Sequence, residues 1–174
     1  MYNKNNKNVD SEYYNMSVDE IKAKWEKNRD SAAKSGTEMH RSIELYFNNI
    51  PSDNDSKEFG MFLEFLKDYP DLVPYRTEWC VYDENIKLSG SIDMTFLNAD
   101  GSLDICDWKR SKQIKKENKW ESGFGILRDI PHANYYHYAI QLNIYKRIVE
   151  THYDKNIRNT VSYTHLTLPT SDLV

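Results

Sequence analysis

The sequence predicts an α/β domain in which helices flank a small mixed β-sheet. Three features carry that expectation: helical periodicity up to Asp68, a change to strand-like patterning between Tyr75 and Lys109, and a return to helical periodicity from Asn134. At 174 residues the chain is near the length of one domain and long enough to bury a core around a sheet. Apolar residues make up 39% and charged residues 29%, a balance that excludes a disordered tail or a membrane protein. The longest apolar runs fall far short of the ~20 residues of a spanning helix. Met1–Asp10 is polar and lacks a secretory core, so an intracellular location is expected. Cys80 and Cys106 are too few for a disulfide framework or a four-cysteine metal site and read as two buried thiols. The net charge of −4 excludes a basic, histone-like nucleic-acid binder. It does not exclude a nucleic-acid enzyme, because local clusters decide binding more than the total does.

Residues 1–16 are polar and expected to form a mobile tail ahead of a single domain over residues 17–160. Ser17 with Glu20 has the form of a capping box, so a helix is expected from Val18 to near Lys34. Gly36 is expected to break it, and Thr37 to cap a second helix from Glu38 to near Asn48, with Met39, Ile43 and Phe47 on one stripe. After a loop from Ile50 to Asp55, Lys57–Asp68 reads as a further helix with Phe62, Phe65 and Leu66 on its apolar face. Tyr75–Tyr82, Ile86–Leu97 and Ser102–Lys109 read as three strands. A charged, glycine-containing connection over 110–130 leads to an amphipathic helix from Asn134 to near Tyr153, with Tyr138, Leu142, Tyr145 and Val149 as its buried seam. A last strand is expected to start near Ile157.

The turn between the second and third strands fixes a register. Ala99-Asp100-Gly101 suits a three-residue hairpin loop that ends with glycine in the left-handed conformation. Counting back from the Asn98/Ser102 pair puts Asp93 opposite Asp107, Ser91 opposite Lys109 and Ile92 opposite Trp108. Alternation then places Ser91, Asp93, Asp107 and Lys109 on one face, and Ile92, Met94, Cys106 and Trp108 on the other. Two carboxylates directly opposite each other, with Cβ atoms roughly 5 Å apart, repel. Lys109 supplies one compensating charge, and a divalent metal with oxygen ligands would supply more. The plain alternative is a surface Asp–Lys ion pair worth ~0–1 kcal/mol.

Other side chains have both a plain and a functional reading. His40 and Glu44 share one helical face and by themselves read as a solvated contact. Glu78, on the first strand, can face the same site and ranks below Asp93. Lys109, Arg110, Lys112, Lys115, Lys116 and Lys119 form a basic run with one acid, Glu117. Such runs are usually solvated loops, but this one directly follows the strand that carries Asp107 and Lys109 and is placed to meet phosphate. Trp120, Phe124, Tyr135 and Tyr136 either pack or stack on bases of a single strand.

Four short motifs stand in order: Gly36-Thr37-Glu38-Met39-His40 with Glu44; Gly90-Ser91-Ile92-Asp93; Asp107-Trp108-Lys109; and Gln141-Leu142-Asn143-Ile144-Tyr145. On these, the chain resembles the PD-(D/E)XK nuclease superfamily, in particular its RecB-like exonuclease branch of phage and large-virus proteins. The resemblance implies a restriction-endonuclease-like core of order αβββαβ, in a bacterial or virus-infected host cell. It implies a metal-dependent deoxyribonuclease, an exonuclease acting in DNA replication, recombination or repair. Asp93, Asp107 and Lys109 would be its catalytic residues. Asp93, Asp107 and His40 would ligate Mg²⁺ or Mn²⁺, assisted by the Trp108 carbonyl. Lys109 would position and help ionise the attacking water or stabilise charge on the phosphate. Gln141 and Tyr145 would orient Lys109 and contact DNA, with Arg110 and Lys112 as further substrate contacts. The partner would be DNA, as single strands or duplex ends. No phosphate-loop motif is visible, so a helicase or recombination protein would act in trans. No iron–sulfur cluster is expected, because two cysteines cannot supply four thiolates. Val161–Val174 resembles a translated adapter and reads as a non-native tail, so the fold is expected to lack its C-terminal part. The rival reading is a non-catalytic nucleic-acid-binding module on the same fold.

Overall fold

The computed structural model describes residues 11–111 and 113–164. Its elements are α1 (Val18–Phe47), α2 (Lys57–Asp68), β1 (Val73–Asp83), β2 (Leu88–Leu97), β3 (Leu103–Lys109), a 3₁₀ turn (Gly125–Leu127), α3 (Asn134–His152) and β4 (Ile157–Thr164). The strands form one sheet in the order β1-β2-β3-β4, antiparallel up to β3 and parallel between β3 and β4. This is the mixed α/β arrangement that the change of period predicts. No helix among the described residues is long and apolar enough to cross a membrane. The chain divides into two compact units, Met1–Glu38 and Met39–Val174.

In the first unit, Ser17 and Glu20 form the predicted capping box. The Ser17 hydroxyl accepts from the Glu20 amide at 3.2 Å, and the Glu20 carboxylate accepts from the Ser17 amide at 2.7 Å. The expected break at Gly36 does not occur: α1 runs through it without interruption. A lone glycine costs a helix ~1 kcal/mol, too little to end one with turns on both sides. Thr37 does not cap. Its hydroxyl donates to the Ala33 carbonyl one turn back, at 3.1 Å.

In the second unit, apolar clusters cover both faces of the sheet. Met39, Ile43, Phe59, Phe62 and Phe65 pack from α1 and α2 against Met94, Phe96, Cys106 and Trp108. Leu142, Ile148 and Val149 of α3 pack on the other face against Trp79, Val81, Ile92, Leu103, Ile105 and Ile157. β3 lies between β2 and β4 and is buried on both faces, as a central strand bordered by a parallel partner should be. Cys106 is the buried thiol the sequence suggests, whereas Cys80 is exposed. β4 continues past Thr160 to Thr164, in parallel register with β3 through the pair Lys109↔Thr164.

The β2–β3 register from Met94↔Cys106 to Leu97↔Leu103 is the one counted from the loop. Gly101 has φ +83°, and the Asn98 amide donates to the Ser102 carbonyl at 2.9 Å. The ladder stops at Met94↔Cys106. Beyond it the Trp108 amide is satisfied by the Asp93 carboxylate at 2.7 Å, so a side chain takes over from main chain. The predicted facing of Ile92 is corrected at this point, since Met94 lies in the α1/α2 cluster and Ile92 in the α3 cluster. β1 changes face at the same level. Thr77, paired with Met94, accepts from Asn48 at 3.0 Å, while Trp79, paired with Ile92, packs in the α3 cluster. Between them Glu78 has φ +41°, a region that residues other than glycine seldom enter. β1 and β2 therefore both interrupt their pleat at the level of Glu78 and Asp93.

A continuous α1 makes Gly36 a poor helix residue in an open position, where an added Cβ would meet nothing within 4 Å. Gly36→Ala is expected to stabilise the protein by about 0.5–1 kcal/mol in thermal or denaturant unfolding. A loss of stability would show that the helix breaks there.

Candidate metal centre

The parting of β2 from β3 leaves a fork lined by ionisable groups. His40 reaches it from α1. Its Nε2 lies 2.9 Å from the Trp108 carbonyl oxygen. A carbonyl only accepts, so Nε2 carries the proton and donates. Nδ1 is then directed at two carboxylates, 3.6 Å from Asp93 Oδ1 and 3.7 Å from Glu78 Oε1. One donor atom from each of His40, Glu78 and Asp93 lies within 4.8 Å of the others. Glu78 is steadied by the Ser91 hydroxyl, which donates to its Oε2 at 3.0 Å.

Asp107 stands beside this trio and has other partners. It is 2% exposed; its Oδ1 accepts from Lys109 Nζ at 2.8 Å and its Oδ2 from the Ser162 hydroxyl at 3.3 Å. The Lys109 ammonium also lies over the Tyr138 ring, 5.2 Å from its centroid. Of the three expected metal ligands, His40 and Asp93 meet, Glu78 joins them, and Asp107 is joined to Lys109.

The electrostatics follow from burial and crowding. Burial, reinforced by the Asp107 charge, pushes the Asp93 carboxyl up to about 6. Burial also raises Asp107, although Lys109 opposes it. Contact with Glu78 raises the His40 imidazole against the effect of its burial, with Asp93 adding to the rise, and His40 in turn lowers Glu78. Burial alone would lower Lys109, but the Asp107 charge and hydrogen bond outweigh it and hold the ammonium above its ordinary value. The fork thus concentrates negative charge in a partly dry place, answered by one ammonium and one imidazole proton.

The remaining candidates are placed as follows. Gln141 Nε2 donates to the Tyr145 hydroxyl at 2.9 Å, and the Tyr145 ring lies against Gly90. Among the described residues, the aromatic ring that meets Lys109 is Tyr138, one turn before Gln141 on α3. Arg110 is paired with Glu58 of α2 at 2.8 Å. Glu44 pairs with Arg41 at 3.1 Å. Lys112 lies outside the described residues. Sequence reasoning underrated Glu78, because no glycine in the β1–β2 connection marks the register that sets it beside Asp93, and because its backbone leaves the regular strand conformation.

No protein-family model matches the sequence. No curated protein is significantly similar to it. Among solved structures, the chain is similar to the crystal structure of a repair endonuclease from Pyrococcus abyssi, with 16% sequence identity and a TM-score of 0.35. That likeness covers 66% of this chain and 41% of the other, so the chain spans less than half of that protein's length.

Two outcomes test this geometry. A Cβ on Gly90 would fall 2.4 Å from Tyr145 Cε1, so Gly90→Ala should cost about 1–3 kcal/mol in unfolding, and Tyr145→Ser should restore part of that loss in the double variant. Asp93, raised from 3.8 to about 6, favours the fold while protonated and opposes it as pH rises across that interval. Asp93→Asn, measured with chelator present, should therefore stabilise the protein by about 1–3 kcal/mol at pH 8 and by almost nothing near pH 4. An unchanged or lower melting temperature at pH 8 would show that Asp93 is not held at electrostatic cost.

Proposed function

We propose that this chain is a metal-dependent deoxyribonuclease of the PD-(D/E)XK type, on a restriction-endonuclease-like core, hydrolysing phosphodiester bonds in DNA replication, recombination or repair. The observation that carries the reading is the convergence of His40, Glu78 and Asp93 at the open fork, next to the Asp107–Lys109 pair. The donor set fits a divalent cation. Carboxylate oxygens suit Mg²⁺ and Mn²⁺ alike, and the imidazole nitrogen favours Mn²⁺. His40 would offer Nδ1, since Nε2 is held by the Trp108 carbonyl. Asp107 supports the site through Lys109 and completes the acidic wall. A cation held there would neutralise phosphate oxygens and make a water molecule more acidic.

The chain's own residues define the rest of the chemistry. Lys109 stays an ammonium, so it donates to phosphate or water and stabilises negative charge as the bond to phosphorus changes; it does not accept a proton. Asp107 and the Tyr138 ring hold Nζ at the fork from two sides. Arg110, engaged with Glu58, braces the start of the following loop. The exposed Lys115, Lys116 and Lys119 continue the cationic track for the phosphodiester backbone. The RecB-like, exonucleolytic form of the activity, with a helicase or recombination partner, is the finer part of the proposal and comes from the motif order.

Purified protein incubated with end-labelled single- and double-stranded DNA should degrade it with Mn²⁺ or Mg²⁺ and not with chelator. Lys109→Met should lose cleavage by about 10²-fold or more while still melting at a higher temperature when Mn²⁺ is added. Glu78→Gln should reduce both cleavage and the Mn²⁺-induced shift. Wild-type protein that neither cleaves DNA nor responds to either ion defeats the proposal, and DNA binding without cleavage supports the rival binding module.

A further inference from the structure

Between β3 and α3 the chain forms a finger with an inverted surface. Trp120, Phe124 and Ile126 are 93%, 96% and 99% exposed, whereas no other exposed large apolar residue among those described exceeds 61%. This is not a slack loop. Ser122 and Pro131 form an antiparallel bridge, Gly123 N donates to Ile130 O at 2.8 Å and His132 N donates to Glu121 O at 3.0 Å. The Asn118 side-chain oxygen accepts from the amides of Trp120 and Glu121, and its nitrogen donates to the His132 carbonyl. Two glycines allow the tip: Gly125 has φ +62°, and a Cβ on Gly123 would fall 2.4 Å from the Leu127 carbonyl oxygen. The backbone bonds are spent inward, and the apolar groups are displayed outward.

The finger is rooted at the candidate site. Its first residues follow Lys109 directly. Asn134, at the start of α3, accepts from the Lys115 amide at 2.7 Å and donates to the Gln113 carbonyl at 2.9 Å. Four residues further along α3, about 6 Å of rise, is Tyr138, whose ring lies under Lys109. The stem carries three exposed lysines, Lys115, Lys116 and Lys119, against two exposed acids, Glu117 and Glu121, the latter paired with His132, in a chain whose net charge is −4. Aromatic faces beside cations suit unpaired nucleotides, whose bases stack while their phosphates are neutralised. A paired duplex hides those base faces. A branched aliphatic side chain at the tip, Ile126, is the kind of group that wedges between bases.

We infer that this finger binds unpaired nucleotides through Trp120 and Phe124, and so selects single strands or frayed ends for the neighbouring site. The identity of the ligand rests on the nuclease reading above. The stem's charge and its attachment beside the proposed phosphate-cleaving site favour a nucleic-acid strand over a lipid surface or a second copy of the chain.

The test is equilibrium binding with chelator present, so that cleavage does not enter. Fluorescein-labelled oligo-dT and a blunt duplex of equal length are titrated with wild type, Trp120→Ala, Phe124→Ala and the double variant, each checked for an unchanged melting temperature. Oligo-dT should quench tryptophan emission in wild type, and each single substitution should weaken its affinity by about five- to one-hundred-fold, with little change for the duplex. Unchanged oligo-dT affinity in the double variant overturns the inference. So does binding of phosphatidylglycerol vesicles in place of the oligonucleotide, or a wild-type dimer that the double variant loses while oligo-dT affinity is kept. Mn²⁺-dependent cleavage by wild type is scored separately. Finger-dependent binding without cleavage keeps the finger and removes the nuclease; cleavage with finger-independent binding does the reverse.

Discussion

Charge withdrawn from water has to be answered locally, and the fork between β2 and β3 is where this protein meets that demand. Asp107 is buried and Asp93 partly buried at the end of a hairpin whose ladder would otherwise continue. The strands separate there, and the Asp93 carboxylate takes the Trp108 amide that a β2 carbonyl would have taken. Lys109 and the His40 imidazole supply the positive side. An unanswered buried carboxylate costs several kcal/mol, more than the ladder bonds given up, so the separation of the strands and the assembly of the site are one event.

The surrounding fold makes that event reproducible. Each face of the sheet is packed against helices, and the faces exchange residues at one level of β1 and β2. Met94 and Thr77 serve one side, and Ile92 and Trp79 the other. Side chains at the exchange, Glu78 and Asp93, belong to neither core and are left for the fork. Regular alternation would have turned both, as a cross-strand pair, onto one apolar face. The left-handed backbone at Glu78 is the local cost of this arrangement.

Much of the fold was legible because periodicity and turn chemistry are local. The shift from helical to strand patterning located the sheet, and Ala99-Asp100-Gly101 gave the β2–β3 register correctly as far as Met94↔Cys106. The reading failed where non-local energetics override local preference. Gly36 lost to the helix around it. Ile92 changed face because the carboxylates interrupted the ladder that alternation assumes. Glu78 was underrated because its place depends on β1, whose four-residue connection to β2, residues 84–87, contains no glycine to mark the register as Gly101 does for β2 and β3. On α3 the Tyr138 ring meets the Lys109 ammonium, and Gln141 donates to the Tyr145 hydroxyl, contacts that helical spacing alone does not distinguish.

The imidazole at the fork shows how the two states of such a site are related. With Nε2 donating to the Trp108 carbonyl, Nδ1 is the only ring atom facing Glu78 and Asp93. When protonated it is itself a cation between two carboxylates, which is why contact with Glu78 raises its affinity for the proton. On the proposed reading His40 would offer that nitrogen to a divalent ion as a lone pair, so ion and proton would compete for one atom. Asp93, held near 6, is mostly ionised at neutral pH and would meet such an ion as a carboxylate. On that reading, the crowding of carboxylates that favours a proton on the fork at low pH would favour a cation there at neutral pH.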